Sequence, residues 1–272
     1  MDWRLKALAF RALDLPGGAH AHYFLQRHVT RNWPRPAHGL GALADVASRI
    51  LADYERVQNS APRSVLEVGA GRDLAVPLAL LRRGVARVIA SDVERLVHLD
   101  LVRHAAAHLL PGSDISSWGD LDELGISYRA PHHVGPQDGP VDCSCSNEVL
   151  EHVPPDQLVS LLADLRSVTT GITTHSIDYS DHYARSDKGI SRLNFLRYSD
   201  EQWCPFNSGK QYVNRLRHSD YVRMFREAGF TILEESMVPG EVPADIRENI
   251  APQFRSYAPD DLFAVRGCIV AA

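Results

Sequence analysis

The segment from Ser64 to Asp73, Ser-Val-Leu-Glu-Val-Gly-Ala-Gly-Arg-Asp, constrains the fold more than any other part of the chain. A β-branched, apolar run is followed there by a glycine-rich turn, and a helix-like stretch comes next. Glycine tolerates positive φ and lets the backbone approach a ligand without a Cβ in the way. The segment therefore predicts a buried strand, a tight turn and a helix N-terminus, which is where α/β sheets bind nucleotide-like ligands.

The spacing of the glycines narrows the class of ligand. A dinucleotide-binding fingerprint, G-x-G-x-x-G, requires a third glycine at the position that Leu74 occupies. The turn instead resembles motif I of the class I S-adenosylmethionine (SAM)-dependent methyltransferases, E/D-x-G-x-G. A second strand-like run, 86–91, ends at Asp92, about 20 residues after the turn. An acid at that place can accept hydrogen bonds from both ribose hydroxyls of an adenosine group.

Strand-like and helix-like segments alternate from residue 64 onwards, which predicts a parallel sheet with helices on both faces. The resemblance implies an α/β fold with a seven-stranded, mostly parallel, doubly wound sheet whose last strand is antiparallel. The predicted strands are 64–68, 87–91, 126–129, 141–145, 169–175, 230–233 and 262–270, and the predicted helices are 73–83, 93–109, 154–166 and 219–228.

Residues 1–60 precede the glycine turn and are predicted to form an N-terminal helical cap. Such helices pack against the sheet edge in the family that the chain resembles. The predicted helices are 5–13, with a periodic apolar stripe of Leu5, Leu8, Ala9 and Leu13, then 23–30 and the amphipathic segment 40–54.

Residues 61–272 are predicted to form the methyltransferase domain that the resemblance implies. Inside it, the stretch 176–217 is too long for an ordinary connection, and its polar and aromatic composition argues against disorder. Because it leaves the carboxyl end of the fifth strand, we predict a lid or substrate insertion over the ligand pocket; a dimerisation arm is the alternative. Three of its arginines are candidates to hold an anion or to pair with nearby acids: Arg197, Arg215 and Arg217.

The composition limits the partners. A net charge of −5 on 272 residues offers no basic surface for nucleic acid. The four cysteines contain no C-x-x-C pair, which predicts reduced thiols and a cytoplasmic protein. The N-terminus lacks an apolar stretch long enough for a signal or a membrane span, so no membrane partner is expected. A homodimer stays open.

Two carboxylates and an imidazole follow the predicted fourth strand. Glu148, Glu151 and His152 are spaced i, i+3 and i+4, so on a helical turn they point to one side and can ligate a divalent cation. Glu-x-x-Glu-His also resembles the metal site of ubiquinone-pathway O-methyltransferases and of small-RNA 2′-O-methyltransferases. The carboxylates favour Mg²⁺ or Mn²⁺. The same string also occurs in methyltransferases that hold no metal, where these residues serve packing.

A second polar cluster follows the predicted fifth strand. Two histidines and two aspartates fall within eight residues, beside the cluster of the fourth strand. Such a density of titratable groups at one sheet edge indicates a functional site. His175 or His182 is expected to complete the metal shell or to act as a general base. The catalytic candidates are His175, Asp178, Asp181 and His182.

The resemblance also implies the residues that bind SAM. The methionine part is expected at the glycine turn, the ribose at Asp92, the adenine near Arg129 after the third strand, and the methyl near Asn147 after the fourth. The full set of expected cofactor-binding residues is Glu67, Gly69, Ala70, Gly71, Asp73, Asp92, Val93, Arg129 and Asn147.

The polar clusters favour oxygen as the methyl acceptor. The sulfonium of SAM carries an activated methyl, so the protein mainly aligns the reactants. A hydroxyl acceptor further needs a general base or a cation, whereas an amine needs only its lone pair. The sequence therefore predicts an O-methyltransferase for a small molecule, such as a sugar or natural product. The alternatives are a protein of the same fold that binds SAM without transfer, and an RNA 2′-O-methyltransferase, which conflicts with the acidic balance.

Overall fold

The computed structural model describes residues 2–15 and 17–272. The helices in these residues are α1 (Trp3–Ala12), α2 (Gly18–His28), α3 (Ala37–Gln58), α4 (Ala75–Arg82), α5 (Leu99–Leu109), α6 (Trp118–Leu124), α7 (Pro155–Val168), α8 (Asp200–Trp203), α9 (His218–Glu227), α10 (Ala244–Glu248) and α11 (Pro259–Leu262). The strands are β1 (Ser64–Val68), β2 (Arg87–Ser91), β3 (Ile126–Arg129), β4 (Val141–Asn147), β5 (Thr169–Asp178), β6 (Ile232–Pro239) and β7 (Ala264–Ala271).

Seven strands of the described residues form one sheet in the order β3-β2-β1-β4-β5-β7-β6. The first five strands along the chain pair in parallel, whereas β7 runs antiparallel to its neighbours β5 and β6. The predicted α/β fold, with a seven-stranded and mostly parallel sheet, is therefore confirmed. The strand order reverses between β1 and β4, which makes the carboxyl ends of these two strands the expected ligand crevice.

Helices cover both faces of the sheet, so β1 is buried on both sides. Leu66 packs in the core that contains Leu158 of α7, and Val65 packs on the other face with Ile50 of α3 and Leu80 of α4. A parallel strand that is buried on both faces has an almost continuous apolar sequence. This burial explains the uninterrupted run that precedes the glycine turn.

The start of α5 differs from the prediction of a helix over 93–109. The structure begins α5 at Leu99 and holds 93–98 as a loop. The backbone N–H groups of Leu96 and Val97 donate to the Tyr128 hydroxyl, at 3.1 and 3.4 Å. These bonds satisfy the backbone outside a helix, and the apolar pattern of the segment does not reveal them.

Among the other differences from the prediction are those at α6 and β6. The short helix α6 was not predicted, although Ser117 and Asp120 form a capping box at its start. Strand β6 begins two residues later than predicted and extends to Pro239. It lies at the sheet edge with almost every residue exposed, so it has no apolar alternation to mark its length.

The predicted apolar stripe of α1 does not face the protein core. Leu5 and Leu8 are 63% and 60% exposed, whereas Trp3 and Ala7 are buried. The Trp3 ring lies 4.7 Å from the Phe206 ring and 5.6 Å from that of Tyr183, between centroids. The helix therefore packs on the stretch after β5 through a large aromatic residue at its first position.

The stretch 176–217 is ordered and divides into two parts. Its first three residues lengthen β5, and the remainder forms short helical turns. These turns share an aromatic core with α1 and with the chain between β6 and β7, including Trp203, Phe195 and Phe254. Its role as a lid or arm stays a prediction. Among residues 2–15 and 17–272, none of the helices combines the length and apolar character that crossing a bilayer requires.

Candidate active site

The carboxyl ends of β1, β2 and β4 border a cavity of about 370 Å³. It lies where the strand order reverses, the position at which open α/β sheets bind their ligands. Residues of four segments line it: the glycine turn after β1, the end of β2 with the loop that follows, the loop after β3, and the connection from β4 to α7.

The glycine turn depends on two residues with positive φ. Gly69 and Gly71 have φ angles of 81° and 69°, a region that side chains with a Cβ disfavour. A Cβ on Gly69 would lie 2.4 Å from Cγ2 of Val149, whereas a Cβ on Gly71 would meet no atom within 4 Å. The first glycine therefore permits close packing against the loop after β4, and the second leaves open space beside the cavity.

Asp92 occupies the cavity wall at the end of β2. Its Oδ1 accepts a hydrogen bond from the Glu94 N–H at 3.1 Å, and its backbone carbonyl accepts one from the His132 N–H at 2.9 Å. Burial raises the pKa of the carboxyl above its ordinary value, against opposing backbone hydrogen bonds. The loop after β3 is thus attached to Asp92, so both meet at one side of the cavity.

Four of the predicted cofactor-binding residues line the cavity: Gly69, Gly71, Asp92 and Val93. Glu67 and Asp73 lie buried outside its wall. Burial, with repulsion from Asp73 and Asp92, raises the pKa of Glu67 to about 8. Its Oε2 is buried and has no hydrogen-bond partner among the residues that the structure describes. Asp73 accepts a hydrogen bond from Arg35 at 2.8 Å, which attaches the segment before α3 to the turn.

The remaining predicted cofactor residues lie away from the cavity wall. Arg129 directs its guanidinium to the buried carboxylate of Asp138, and its place near the adenine stays a prediction. Ala70 is buried behind the turn, and Asn147 ends β4 outside the wall. The cofactor roles of Ala70 and Asn147 stay predictions.

Sequence reasoning missed several residues of the wall. His132 and Val134 line the cavity from the loop after β3, and Gln157 and Leu161 reach it from α7. The signal for the first pair was available, since they follow a predicted strand by a few residues. The second pair lies on the face of a helix whose orientation the sequence does not specify.

Three potential metal ligands converge beside the cavity. One ligand atom from each of Glu151, His152 and His182 lies within 4.8 Å of the others. Glu151 is only 2% exposed, and neither of its carboxylate oxygens has a hydrogen-bond partner within residues 2–15 and 17–272. Burial raises its pKa well above the ordinary value. A buried carboxylate with no partner is costly, and a cation would satisfy it.

The two histidines of this group are held in place by their neighbours. Nδ1 of His152 donates to the Tyr212 carbonyl at 2.7 Å, which leaves Nε2 free as a ligand. Burial lowers the pKa of His152 to about 4, so the ring is neutral at pH 7. Nε2 of His182 lies 3.5 Å from Oδ2 of Asp178. Nη2 of Arg185 lies 3.4 Å from the same His182 nitrogen. The carbonyl bond of His152 is of the kind that orients metal-ligating histidines.

The prediction for His175 is corrected, because this residue lies in the core. It is fully buried, its Nδ1 is 2.7 Å from the Ser146 hydroxyl, and its Nε2 is 2.5 Å from that of Thr173. Burial, together with the nearby positive charge of Arg49, lowers its pKa to about 3. Both ring nitrogens are occupied within the sheet, so His175 is not available as a ligand or base.

Glu148 is separated from the metal group, although it was predicted to belong to it. It has a positive φ of 55°, rare for a residue with a side chain, and its carboxylate pairs with Arg266 at 2.6 Å and Arg185 at 3.4 Å. With this φ angle, Glu148 does not have the helical geometry that the i, i+3, i+4 spacing assumed. His182 takes the place that was expected of Glu148 and His175.

The two predicted catalytic aspartates have different environments. Asp178 accepts hydrogen bonds from Arg185 at 2.6 Å and from the Ser180 N–H at 2.8 Å. Burial alone would raise its pKa, but these bonds and that from His182 hold the pKa below its usual range. Asp181 is buried and accepts from Asn194 at 3.0 Å, and burial raises its pKa to about 6.

No protein-family profile matches the sequence, and no curated protein matches it. Solved structures do match. Magnesium protoporphyrin IX methyltransferase from Synechocystis PCC 6803, with bound S-adenosylhomocysteine (SAH), has a TM-score of 0.53 at 13% identity, over 100% of this chain and 99% of that one. The 1,6-didemethyltoxoflavin-N1-methyltransferase of Burkholderia thailandensis has a TM-score of 0.51 at 20% identity, over 93% and 86% of the two chains. The chain therefore has the class I methyltransferase fold.

Proposed function

We propose that the protein is a SAM-dependent methyltransferase that transfers a methyl group to a hydroxyl of a small molecule. The observation that carries this proposal is the position of the cavity. It lies at the carboxyl ends of β1, β2 and β4 and has the Glu151, His152 and His182 group at its edge. A cavity for the cofactor and a group of polar side chains for the acceptor thus meet in one place.

The residues at the cavity fit SAM. The open space beside Gly71 leaves room for the cofactor at the turn. Behind the wall, Glu67 has a buried oxygen that lacks a partner among the described residues, and a positively charged amino group that reached it would satisfy it. Asp92, at the wall, would accept the ribose hydroxyls. The solved structures of the same fold that were named above hold SAH.

We expect Asp92→Asn to weaken SAH binding by about 10- to 100-fold, because it removes the charge from a pair of hydrogen bonds. The measurement is calorimetric titration of SAH into the protein. Glu94→Gln is the control, since it removes an exposed charge two residues away, outside the cavity wall, and should leave the affinity unchanged. Equal affinities for all three proteins, or no SAH binding by the wild type, would contradict the proposed cofactor site.

The three converging side chains would fit a divalent cation that accepts imidazole ligands, such as Mn²⁺, better than Mg²⁺, since only one of the three is a carboxylate. Glu151, His152 and His182 would hold it, with Glu151, whose oxygens have no hydrogen-bond partner among the described residues, supplying the carboxylate. A bound cation lowers the pKa of an acceptor hydroxyl. The chain itself contributes orientation: the Tyr212 carbonyl fixes the His152 ring, and Asp178 lies beside the His182 ring.

The nature of the acceptor is tested by incubating the protein and methyl-labelled SAM with a small-molecule extract of bacterial cells and, separately, with total RNA. We expect label in the small-molecule fraction, as a methyl ether that mass spectrometry identifies; a methyl ester would place the label on a carboxylate and contradict the hydroxyl acceptor. Label on nitrogen would contradict the hydroxyl acceptor, and label in RNA would favour the RNA 2′-O-methyltransferase. If SAH binds and no label is transferred to either, the protein is a SAM-binding module instead.

A further inference from the structure

A second cavity, of about 350 Å³, lies beside the first. The two share Glu148, which belongs to both walls and therefore separates them. The second cavity is bordered by the end of β5, by the turn 182–185 and by Arg266 of β7. The turn 182–185 begins at His182, one of the three converging side chains.

Positive charge dominates the rim of this second cavity. Four cationic side chains line it, against three acids, Glu148, Asp178 and Asp181. The cations are exposed, whereas Asp178 and Asp181 are buried beneath them. A ligand that enters from solvent therefore meets cations first. The cations are Arg185, Lys188, Arg192 and Arg266.

The cations are not equally engaged by the acids. Arg185 binds Asp178 at 2.6 Å, and Arg266 binds Glu148 at 2.6 Å. The nearest carboxylate oxygen to Arg192, Oδ1 of Asp178, is 3.8 Å away and accepts a hydrogen bond from the Ser180 N–H, while Arg185 binds Oδ2 of the same carboxylate. Within the described ranges 2–15 and 17–272, Lys188 has no carboxylate within 4.0 Å. The cavity therefore holds one more cation than its acids balance, and two of the cations are available to a ligand.

We infer that this basic cavity binds an oxyanion, a carboxylate or a phosphate, that belongs to the methyl acceptor. The inference rests on the proposed methyltransferase function. An acceptor anchored through its anion by Lys188 and Arg192 extends past Glu148, which places its hydroxyl beside His152 and His182. Guanidinium and ammonium groups bind both kinds of oxyanion through charge-assisted hydrogen bonds.

The test uses chelator-treated protein loaded with SAH, so that no metal can bind the anion in place of the cations. Inorganic phosphate and acetate are titrated separately at constant ionic strength, and ¹H–¹⁵N spectra follow the backbone amides around Lys188. We expect saturable shifts there, and about tenfold weaker binding in the double variant Lys188→Ala/Arg192→Ala. The anion that binds more tightly identifies the group that the acceptor carries.

The matched control is Arg63→Ala/Arg103→Ala, which removes the same charge from two exposed arginines outside the cavity. It should bind both anions as the wild type does. Binding that is absent, or equally weakened by both double variants, would overturn the inference. SAH affinity, measured by calorimetry on the same samples, distinguishes failure of this inference from failure of the proposed function. If the wild type binds SAH but no anion, only this inference is wrong. If the wild type does not bind SAH, the proposed function is wrong as well.

Discussion

Glu151→Gln is expected to abolish the binding of Mn²⁺ to the protein. The substitution keeps the size of the side chain and removes the only carboxylate among the three converging ligands. Mutation of residues that only orient metal ligands already lowers metal affinity by roughly 10- to 100-fold. The loss of a charged ligand should therefore have a larger effect. The measurement is calorimetric titration of MnCl₂ into chelator-treated protein in the presence of SAH.

The folded state should tolerate this substitution. Both oxygens of Glu151 lack a partner among residues 2–15 and 17–272, so an amide there breaks no hydrogen bond of the described side chains. The free energy of unfolding, measured in urea without metal, is expected to be unchanged or higher. The substitution would then abolish metal binding without lowering the free energy of unfolding. A purely structural role of Glu151 would not give this result.

Glu148→Gln is the matched control, because its carboxylate pairs with Arg185 and Arg266 rather than with the metal group. It should bind Mn²⁺ as the wild type does. If Glu148→Gln abolished binding and Glu151→Gln did not, the ligand set would be wrong. If the wild-type protein binds SAH but not Mn²⁺, the proposed metal site is wrong. His182, beside Asp178, is then the remaining candidate for the base.

Much of the fold and four residues of the cavity wall could be predicted because local sequence determines them. The turn at Gly69 and Gly71 requires φ angles that glycine favours, and the acid at Asp92 follows a strand at a fixed separation. Such features depend on a few consecutive residues. The pairing of Arg129 with the buried carboxylate of Asp138 was not predicted, because the strand pattern does not indicate that partner.

The acceptor side of the site was less predictable because it depends on contacts between distant segments. Sequence spacing grouped Glu148 with Glu151, but a positive φ at Glu148 turned it towards Arg266, which is 118 residues away in the chain. His175 and His182 are equivalent as sequence signals. Only the length of β5 decides that the first is inside the sheet and the second beyond its end.

The arginines of 176–217 show the same limit. The candidates for holding an anion were Arg197, Arg215 and Arg217. In the structure, Arg197 pairs with Asp245 and Arg215 pairs with Asp200. Arg217 is fully buried and donates to backbone carbonyl groups instead. The cations that border the second cavity belong to other positions, since whether an arginine points inward depends on packing.

Arg217→Met is expected to lower the free energy of unfolding by at least about 3 kcal/mol. The guanidinium donates to the Asp261 carbonyl at 3.2 and 3.3 Å, to the Tyr179 carbonyl at 3.3 Å, and to that of Ala264. It also lies over the Tyr179 and Phe195 rings. Methionine fills a similar volume but leaves these buried carbonyls without their donor, and each costs about 1 to 3 kcal/mol.

The comparison that isolates this effect is Arg197→Met, which makes the same chemical change in a partly exposed ion pair with Asp245. Exposed pairs contribute about 0 to 1 kcal/mol, so we expect its urea unfolding curve to lie close to that of the wild type. Arg217→Lys should restore only part of the loss, because an ammonium cannot reproduce the planar fork that reaches three carbonyls. Equal losses for the two methionine variants would mean that Arg217 contributes no more than a surface charge. A large loss at Arg217 alone would show that the stretch after β5 is fixed to β7 through the carbonyls of Tyr179 and Ala264, which holds His182 and the wall of the second cavity in place.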